Sequence, residues 1–324
     1  MMVELVSKGS KIKIIHTLNR DLDEMLRGIS QWLPLYMTGT IEPYYYPKKR
    51  DGVFKRTLFI ASNFEAVVSS SVGSSWEQSA NVLFRDKAAV AAFEREFDEY
   101  LSLCRPLMSV FTPDDRDEYL DTLMRFEEVQ SNSVIRTESL SLVTMPEDVV
   151  RGVVSRLEET KHDFLQYALI RNGYFKQSIE SYSFTEIIPL YDIETVKNGE
   201  VKVAFSDILV SKAVYYTPEE YILHLENIKK MLETYKNFHV CFERKAYQEE
   251  FAVYVKEDVG VFVTKTSQPP VTIACGEDNL KAAFWDYMMN IIEAKFIGSR
   301  SNEEAVKRLK VYIGKIRESI STKN

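Results

Sequence analysis

Apolar and polar residues along this chain follow two periods. Residues 11–15, KIKII, alternate and predict a strand; Asp21 to Tyr36 then carries Leu22, Met25, Leu26, Ile29, Trp32, Leu33 and Tyr36 on one helical face. Asp21 with Glu24 forms a capping pair at its start, and Gly39 stands where a left-handed helix end favours glycine. IEPYYY (41–46), TLFIAS (57–62) and EAVVSSS (65–71) read as three successive strands. Asp86 opens a second helix with Val90, Phe93, Phe97, Leu101 and Cys104 on one side. Strand, helix, three strands and helix make a first module.

From about 109 to 206 the pattern is less regular, with a helix at 114–130, one helix from Pro146 to Leu169, and a strand–turn–strand around Asn198-Gly199. This stretch is expected to be a connector and extra cover. The first pattern then returns. Thr217-Pro218-Glu219-Glu220 places a cap, an N1 proline and an N3 glutamate before a helix that runs to about Tyr235. HVCFE (239–243), EFAVYV (250–255), VGVFVT (259–264) and VTIAC (271–275) supply strands, and Asp278 to Ile292 a closing helix with Leu280, Ala283, Phe284, Tyr287 and Met288 inward. The modules overlay with Glu24 on Glu220, Ile29 on Leu225, Tyr46 on Phe242, 58–68 on 252–262 and Phe93 on Phe284, a match of pattern that points to duplication. The expected fold is α/β, two pseudo-symmetric halves of mixed sheet covered by helices around a shared cleft. Its parts are a first half at 1–108, the connector at 109–206, a second half at 207–297 and an amphipathic helix at 298–324.

Composition narrows the classes. A length of 324 residues suits about two domains, and a net charge of −7 makes the surface as a whole repel nucleic acid and anionic lipid. Cys104, Cys241 and Cys275 are odd in number and set in apolar surroundings, as expected of buried thiols in a reducing compartment. The N-terminus has no apolar run fit for a signal peptide or membrane span, so a cytoplasmic protein without membrane contact is expected. No His-x-x-x-His or Cys-x-x-Cys occurs, pairs such as Asp114-Asp115 and Glu127-Glu128 read as helix faces, and the 12 glycines never cluster into a phosphate loop. Neither a metal nor another cofactor is expected.

A strand, a helix, then a hairpin ending in small residues and an acidic helix start resembles the half-domain of the phospholipase D superfamily, which also carries two halves. LFIASNFEAVVSSSV (58–72) is similar to the segment that follows that family's lysine, and SANVLFRDKAAVAAFEREFDEYL (79–101) to the strand and helix that close each half. The resemblance implies a scaffold without its chemistry. The family's histidine, lysine and aspartate positions fall on Lys55, Thr57 and Ser62 in the first module, and on Glu249, Phe251 and Lys256 in the second. His16, His162, His224 and His239 nowhere form His-x-Lys, so nucleophile and acid are both lost. Residues 15–26 and 32–52 also resemble the C-terminal portion of Gram-positive regulators with an N-terminal helix-turn-helix. No helix-turn-helix is visible in the 324 residues. The implied part is the sensing region of such a regulator with DNA bound only through a missing head, or a stand-alone version.

Several clusters carry candidate chemistry beside a plainer reading. Lys48, Lys49, Arg50, Lys55 and Arg56 could hold phosphate, though a solvated hairpin tip is the simpler account. Tyr44 and Tyr46 share one strand face and could stack on a ring, or pack between sheet and helix. Ser69, Ser70, Ser71, Ser74 and Ser75 with Gly73 could cradle an anion, or form a loop. His16 and Arg20 follow the first strand, near where a cleft would open; a lone histidine is more often structural. The candidate ligand site is therefore His16, Arg20, Tyr44, Lys55, Thr57, Ser69, Ser71 and Asn81, with no catalytic residue. Its ligand would be small and anionic or ring-containing. Ser301 with Glu304 caps a last helix whose Val306, Leu309, Ile313, Ile316 and Ile320 would pair two copies into a homodimer or dock on its own domain. The expected function is a non-enzymatic ligand-sensing or interaction domain of a transcriptional regulator. The alternatives are a phosphodiesterase or nuclease using His16 and His224, and a protein-interaction platform without a pocket.

Overall fold

A computed structural model of the chain describes residues 12–16, 35–36, 38, 40–48, 54–72, 80–157, 161–209, 212–244, 251–267, 270–295 and 301–321. The fold is mixed α/β and divides into two compact units, residues 1–19 with 40–107, and residues 20–39 with 108–324. Apart from Leu35 and Tyr36, which are helical, the helix expected over 21–36 lies outside the described residues.

In the first unit, β1 (Ile12–His16) pairs parallel with β2 (Ile41–Tyr45), Ile12 opposite Ile41. β3 (Phe54–Ala61), β4 (Glu65–Val72) and β5 (Ala80–Phe84) form a separate antiparallel meander. Strand alternation puts Leu58, Ile60, Ala66, Val68 and Phe84 on one face of it. α1 (Lys87–Ser102) packs on that face: Phe93 meets Phe84 edge-on at 5.0 Å, and Arg56 reaches across to Glu96. The helix starts where the sequence places it, with the Asp86 carboxylate accepting from the Ala89 N–H at 2.9 Å. β6 (Arg105–Pro106) adds an antiparallel edge to β2.

The second unit carries the larger core. In chain order it contains β7 (Ser109–Phe111), α2 (Arg116–Glu128), β8 (Ser133–Arg136), α3 (Glu147–Ser155) and α4 (Lys161–Ser178). β9 (Phe184–Leu190), α5 (Ile193–Lys197), α6 (Ser206–Leu209), α7 (Pro218–Thr234) and β10 (Phe238–Arg244) follow. The chain then forms β11 (Phe251–Lys256), β12 (Gly260–Lys265), β13 (Val271–Cys275), α8 (Asp278–Lys295) and α9 (Asn302–Ser321). Seven strands make one sheet in the order β10-β9-β8-β11-β12-β13-β7. β10, β9 and β8 run parallel; from β11 onward the pairing is antiparallel. At its centre Phe126 packs edge-on against Tyr254 and tilted against Phe262, and Phe175 packs edge-on against Phe184 and Phe238 of the parallel half.

Residues 109–206, expected to connect and cover, instead supply β7, β8 and β9, two of them central strands. β8 reads SVIR, four buried residues too short and too uniformly buried to alternate. The single helix expected from Pro146 to Leu169 is two, because α3 ends at the Arg156 cap and α4 begins at Lys161. Around Asn198-Gly199 the expected strand–turn–strand gives way to the end of α5, capped by Asn198, with Gly199 at φ +69°.

α9 settles on its own unit. Ala305, Val306, Leu309, Ile313 and Ile316 are buried, in contact with α7, α5 and β10. Burying the four larger side chains contributes roughly 6–12 kcal/mol before chain entropy is charged against it. The stripe expected either to pair two copies or to dock internally packs against elements of its own chain.

The two modules share an order: parallel strand pairs β1–β2 and β9–β10, then the meanders β3-β4-β5 and β11-β12-β13, then α1 and α8. Their hairpin turns match closely. Phe64 N–H donates to Ala61 O at 2.9 Å and Val259 N–H to Lys256 O at 3.1 Å, with Asn63 and Asp258 at φ 64° and 58°. Turn laid on turn puts Asn63 on Asp258, one residue away from the overlay of 58–68 on 252–262. The sheets differ, however: the first meander stands alone and the second is part of the seven strands.

Candidate functional site

The sequence places eight residues in one site, and the structure distributes them. Thr57, Ser69 and Asn81 are direct cross-strand partners in β3, β4 and β5, and Lys55 opposite Ser71 forms the next row on the same face. That face lies opposite the one α1 covers. It also carries the row Phe59, Val67 and Leu83, with Phe59 54% and Leu83 47% exposed. Hydroxyls, an amide and an exposed aromatic ring therefore share one open sheet surface.

His16 and Tyr44 do not join it. They belong to the β1–β2 pair, where His16 is opposite Tyr45 and Ile15 opposite Tyr44, so the two side chains leave opposite faces. His16 shares its face with the buried Ile41 and Pro43, and burial pulls its imidazole down to about 4. It is neutral at physiological pH and suits packing better than catalysis. Tyr44 donates from its hydroxyl to Glu42 at 3.2 Å. Arg20 lies outside the described residues, as do Gly73, Ser74 and Ser75. Tyr46 packs on Tyr100 of α1, ring centroids 5.5 Å apart, the structural role weighed for the tyrosines.

At the positions where the resemblance would place catalytic groups, the described residues do other work. Ser62 sits in the β3–β4 turn. Lys256 closes the C-terminus of α2, its ammonium donating to the carbonyls of Phe126, Glu127 and Val129 at 3.0, 3.0 and 2.7 Å. A cation there complements the helix dipole and satisfies orphan carbonyls. Burial lowers Lys256 to about 8 despite the neighbouring Glu127 carboxylate.

His224, the other histidine of the hydrolytic alternative, is fully buried on α7. Its Nε2 lies 3.1 Å from Thr144 Oγ1 and its Nδ1 3.0 Å from the Tyr216 hydroxyl. Thr144 Oγ1 donates to Glu186 Oε2 at 3.0 Å, and the Ser141 N–H donates to Oε1 at 2.8 Å. With Glu186 ionised the chain has one consistent polarity: Tyr216 donates to Nδ1, Nε2–H donates to Thr144, and Thr144 donates to the carboxylate. Both ring nitrogens are occupied. Burial pushes Glu186 up to about 7 against the hydrogen bonds from Ser141 and Thr144, and pulls His224 down to about 3.

A second buried group went unnoticed in the sequence. Glu127, taken as part of a helix face, is 5% exposed and accepts from Arg171 Nε and from the Tyr254 hydroxyl, the latter at 2.8 Å. Its contact with Lys256 is 3.8 Å. Burial opposes the charge on Arg171, and the Glu127 carboxylate together with Tyr167, Tyr254 and Tyr119 outweighs it, holding the guanidinium above its ordinary value. The only available signal was a charged residue inside an apolar helical stretch, Arg171 in ALIRNGYF and Glu127 in MRFEE. Such residues also mark solvated faces.

Among the described residues, no group of three or more His, Cys, Asp and Glu could hold a metal ion, and no helix is long and apolar enough to cross a membrane. Cys241 and Cys275 are buried and Cys104 half-buried, and none is in a disulfide. No family model, no curated protein and no solved structure matches the chain.

Proposed function

We propose that this chain acts by binding rather than by catalysis, as the sensing or interaction part of a regulator of the helix-turn-helix kind that it resembles. In this reading its modules are degenerate phospholipase D-like halves, a view supported by their common element order and matching hairpin turns. The observation that carries the binding reading is the open face of β3-β4-β5, where Thr57, Ser69 and Asn81 line up beside the exposed Phe59. Hydroxyl and amide donors in a row suit an anionic group, and a neighbouring aromatic face suits a ring. The ligand class is therefore a small anion bearing a ring.

The hydrolytic alternative needs a histidine able to reach a substrate, and the burial and double hydrogen bonding of His224 weigh against it. The test is a thermal-shift panel of nucleotides, sugar phosphates and short nucleic acids. A ligand that binds the native state alone raises the melting temperature. The response should be weakened by Lys55→Glu and by Asn81→Leu while the melting temperature without ligand is kept. Turnover of a generic phosphodiester, abolished by replacing His16 or His224, would reverse the reading.

A further inference from the structure

The sheet β3-β4-β5 ends in two edge strands, the longer being β3 (Phe54–Ala61) and the shorter β5 (Ala80–Phe84). Among the described residues β3 has β4 on one side and no strand on the other, and no backbone group of residues 57–61 finds a partner on that outer side. Natural sheets guard such an edge with charge, proline or brevity. TLFIA (57–61) has neither charge nor proline, whereas the edge strands β6 and β7 are two and three residues long. The second module shows what this edge accepts. Turn laid on turn, Leu58–Ala61 falls on Val253–Lys256 of β11, whose corresponding side carries β8 antiparallel, Val253 opposite Arg136 and Lys256 opposite Ser133. No described strand takes the place of β8 beside β3.

We propose that the outer edge of β3 pairs antiparallel with β3 of a second copy, joining the two meanders into one sheet about a two-fold axis. Charge selects this partner and this direction. Lys55 and Arg56 stand near the start of β3, while its far end is flanked by Glu65, opposite Ala61, and by Glu94, which accepts from the Asn63 N–H at 2.9 Å. Antiparallel pairing sets the basic end of each copy beside the acidic end of the other; parallel pairing would lay Lys55 and Arg56 on their own copies. Arg56 pairs with Glu96 and Glu65 with Arg85 in the same copy, all four exposed, so the seam extends these pairs into alternating charge. An axis perpendicular to the sheet keeps both open faces on one side, and the exposed Phe59 and Leu83 of one copy continue the same surface in the other. The pairing uses the backbone edge of β3 and not the face assigned to the ligand, so it stands apart from that reading.

Sedimentation equilibrium of the full chain across a micromolar dilution series should show a mass rising from 37.5 kDa toward twice that value. Over the same series, deuterium exchange at the amides of residues 57–61 should slow as the dimer forms. Phe59→Lys and Phe59→Glu each bring like charges together near the axis and should weaken dimerisation about tenfold or more, while mixing the two variants restores it. Because Phe59 is exposed, both variants should keep the far-ultraviolet circular dichroism of the wild type. A mass of 37.5 kDa at every concentration would overturn the proposal, as would a dimer whose β3 amides exchange freely or one that neither Phe59 variant weakens. A monomer whose β3 amides are nonetheless protected would give the edge to a segment of the same chain and overturn it too.

Discussion

His224 and Glu186 are coupled through Thr144, and their titrations act on stability in opposite directions. Glu186 sits at about 7 in the folded chain against an ordinary 4.5. Between those values the unfolded chain has released a proton that the folded chain keeps, so stability falls as pH rises through the window. His224 sits at about 3 against an ordinary 6.5, so in that lower range the unfolded chain binds a proton that the folded chain refuses, and stability falls as pH drops. Glu186→Gln should therefore flatten the loss between pH 4.5 and 7 and leave the acid limb, a change on the order of 3 kcal/mol measured by urea unfolding across pH. Lys256→Met, which strips the carbonyls of Phe126, Glu127 and the cap Val129 of their donor, should cost roughly 2–4 kcal/mol in the same assay. Neither role was legible in the sequence. A buried lysine in FAVYVK looks like the polar end of a strand, and only the packing of α2 against β11 shows what its ammonium meets.

Elements with local punctuation were the legible ones. Thr217 accepts from the Glu220 N–H at 3.1 Å while the Glu220 carboxylate accepts from the Thr217 N–H at 2.9 Å, the reciprocal box that the spacing predicts. Thr217→Ala should lower stability by about 1 kcal/mol. Asp86 on α1 and Ser301 on α9 were readable in the same way. The turns were harder, because their signal is a single backbone conformation. Asn63 and Asp258 hold φ of 64° and 58°, a region that Asn and Asp tolerate and β-branched residues do not. Asn63→Val and Asp258→Val should each cost about 1–3 kcal/mol, seen as matched falls in melting temperature. β8 and the break between α3 and α4 were missed because uniform burial and a short interruption leave the hydrophobic period unchanged.

For the whole chain, the sequence conveyed the α/β class and the order of helix, strands and helix from α7 to α8, but its pattern reading left β5 out of the first module and did not show the sheets that the strands join. Sheet membership depends on long-range pairing: β8 and β9, from the stretch without a clear period, extend the second meander into seven strands. The C-terminal stripe could not declare its partner, since an amphipathic pattern is the same for docking and for dimerisation. With that stripe buried on α7, Leu309→Asp should lower the melting temperature sharply and leave the native mass unchanged. Of the candidate site, Thr57, Ser69, Ser71 and Asn81 share one face with the position of Lys55, while His16 and Tyr44 diverge because neighbouring strand positions point to opposite sides. The binding reading is tested most directly by titrating the purified chain with the ring-bearing anions of the panel while following backbone amide shifts. The account predicts saturable shifts clustered on β3, β4 and β5, weakened by Asn81→Leu; saturable shifts elsewhere, or none with any ligand, would contradict it.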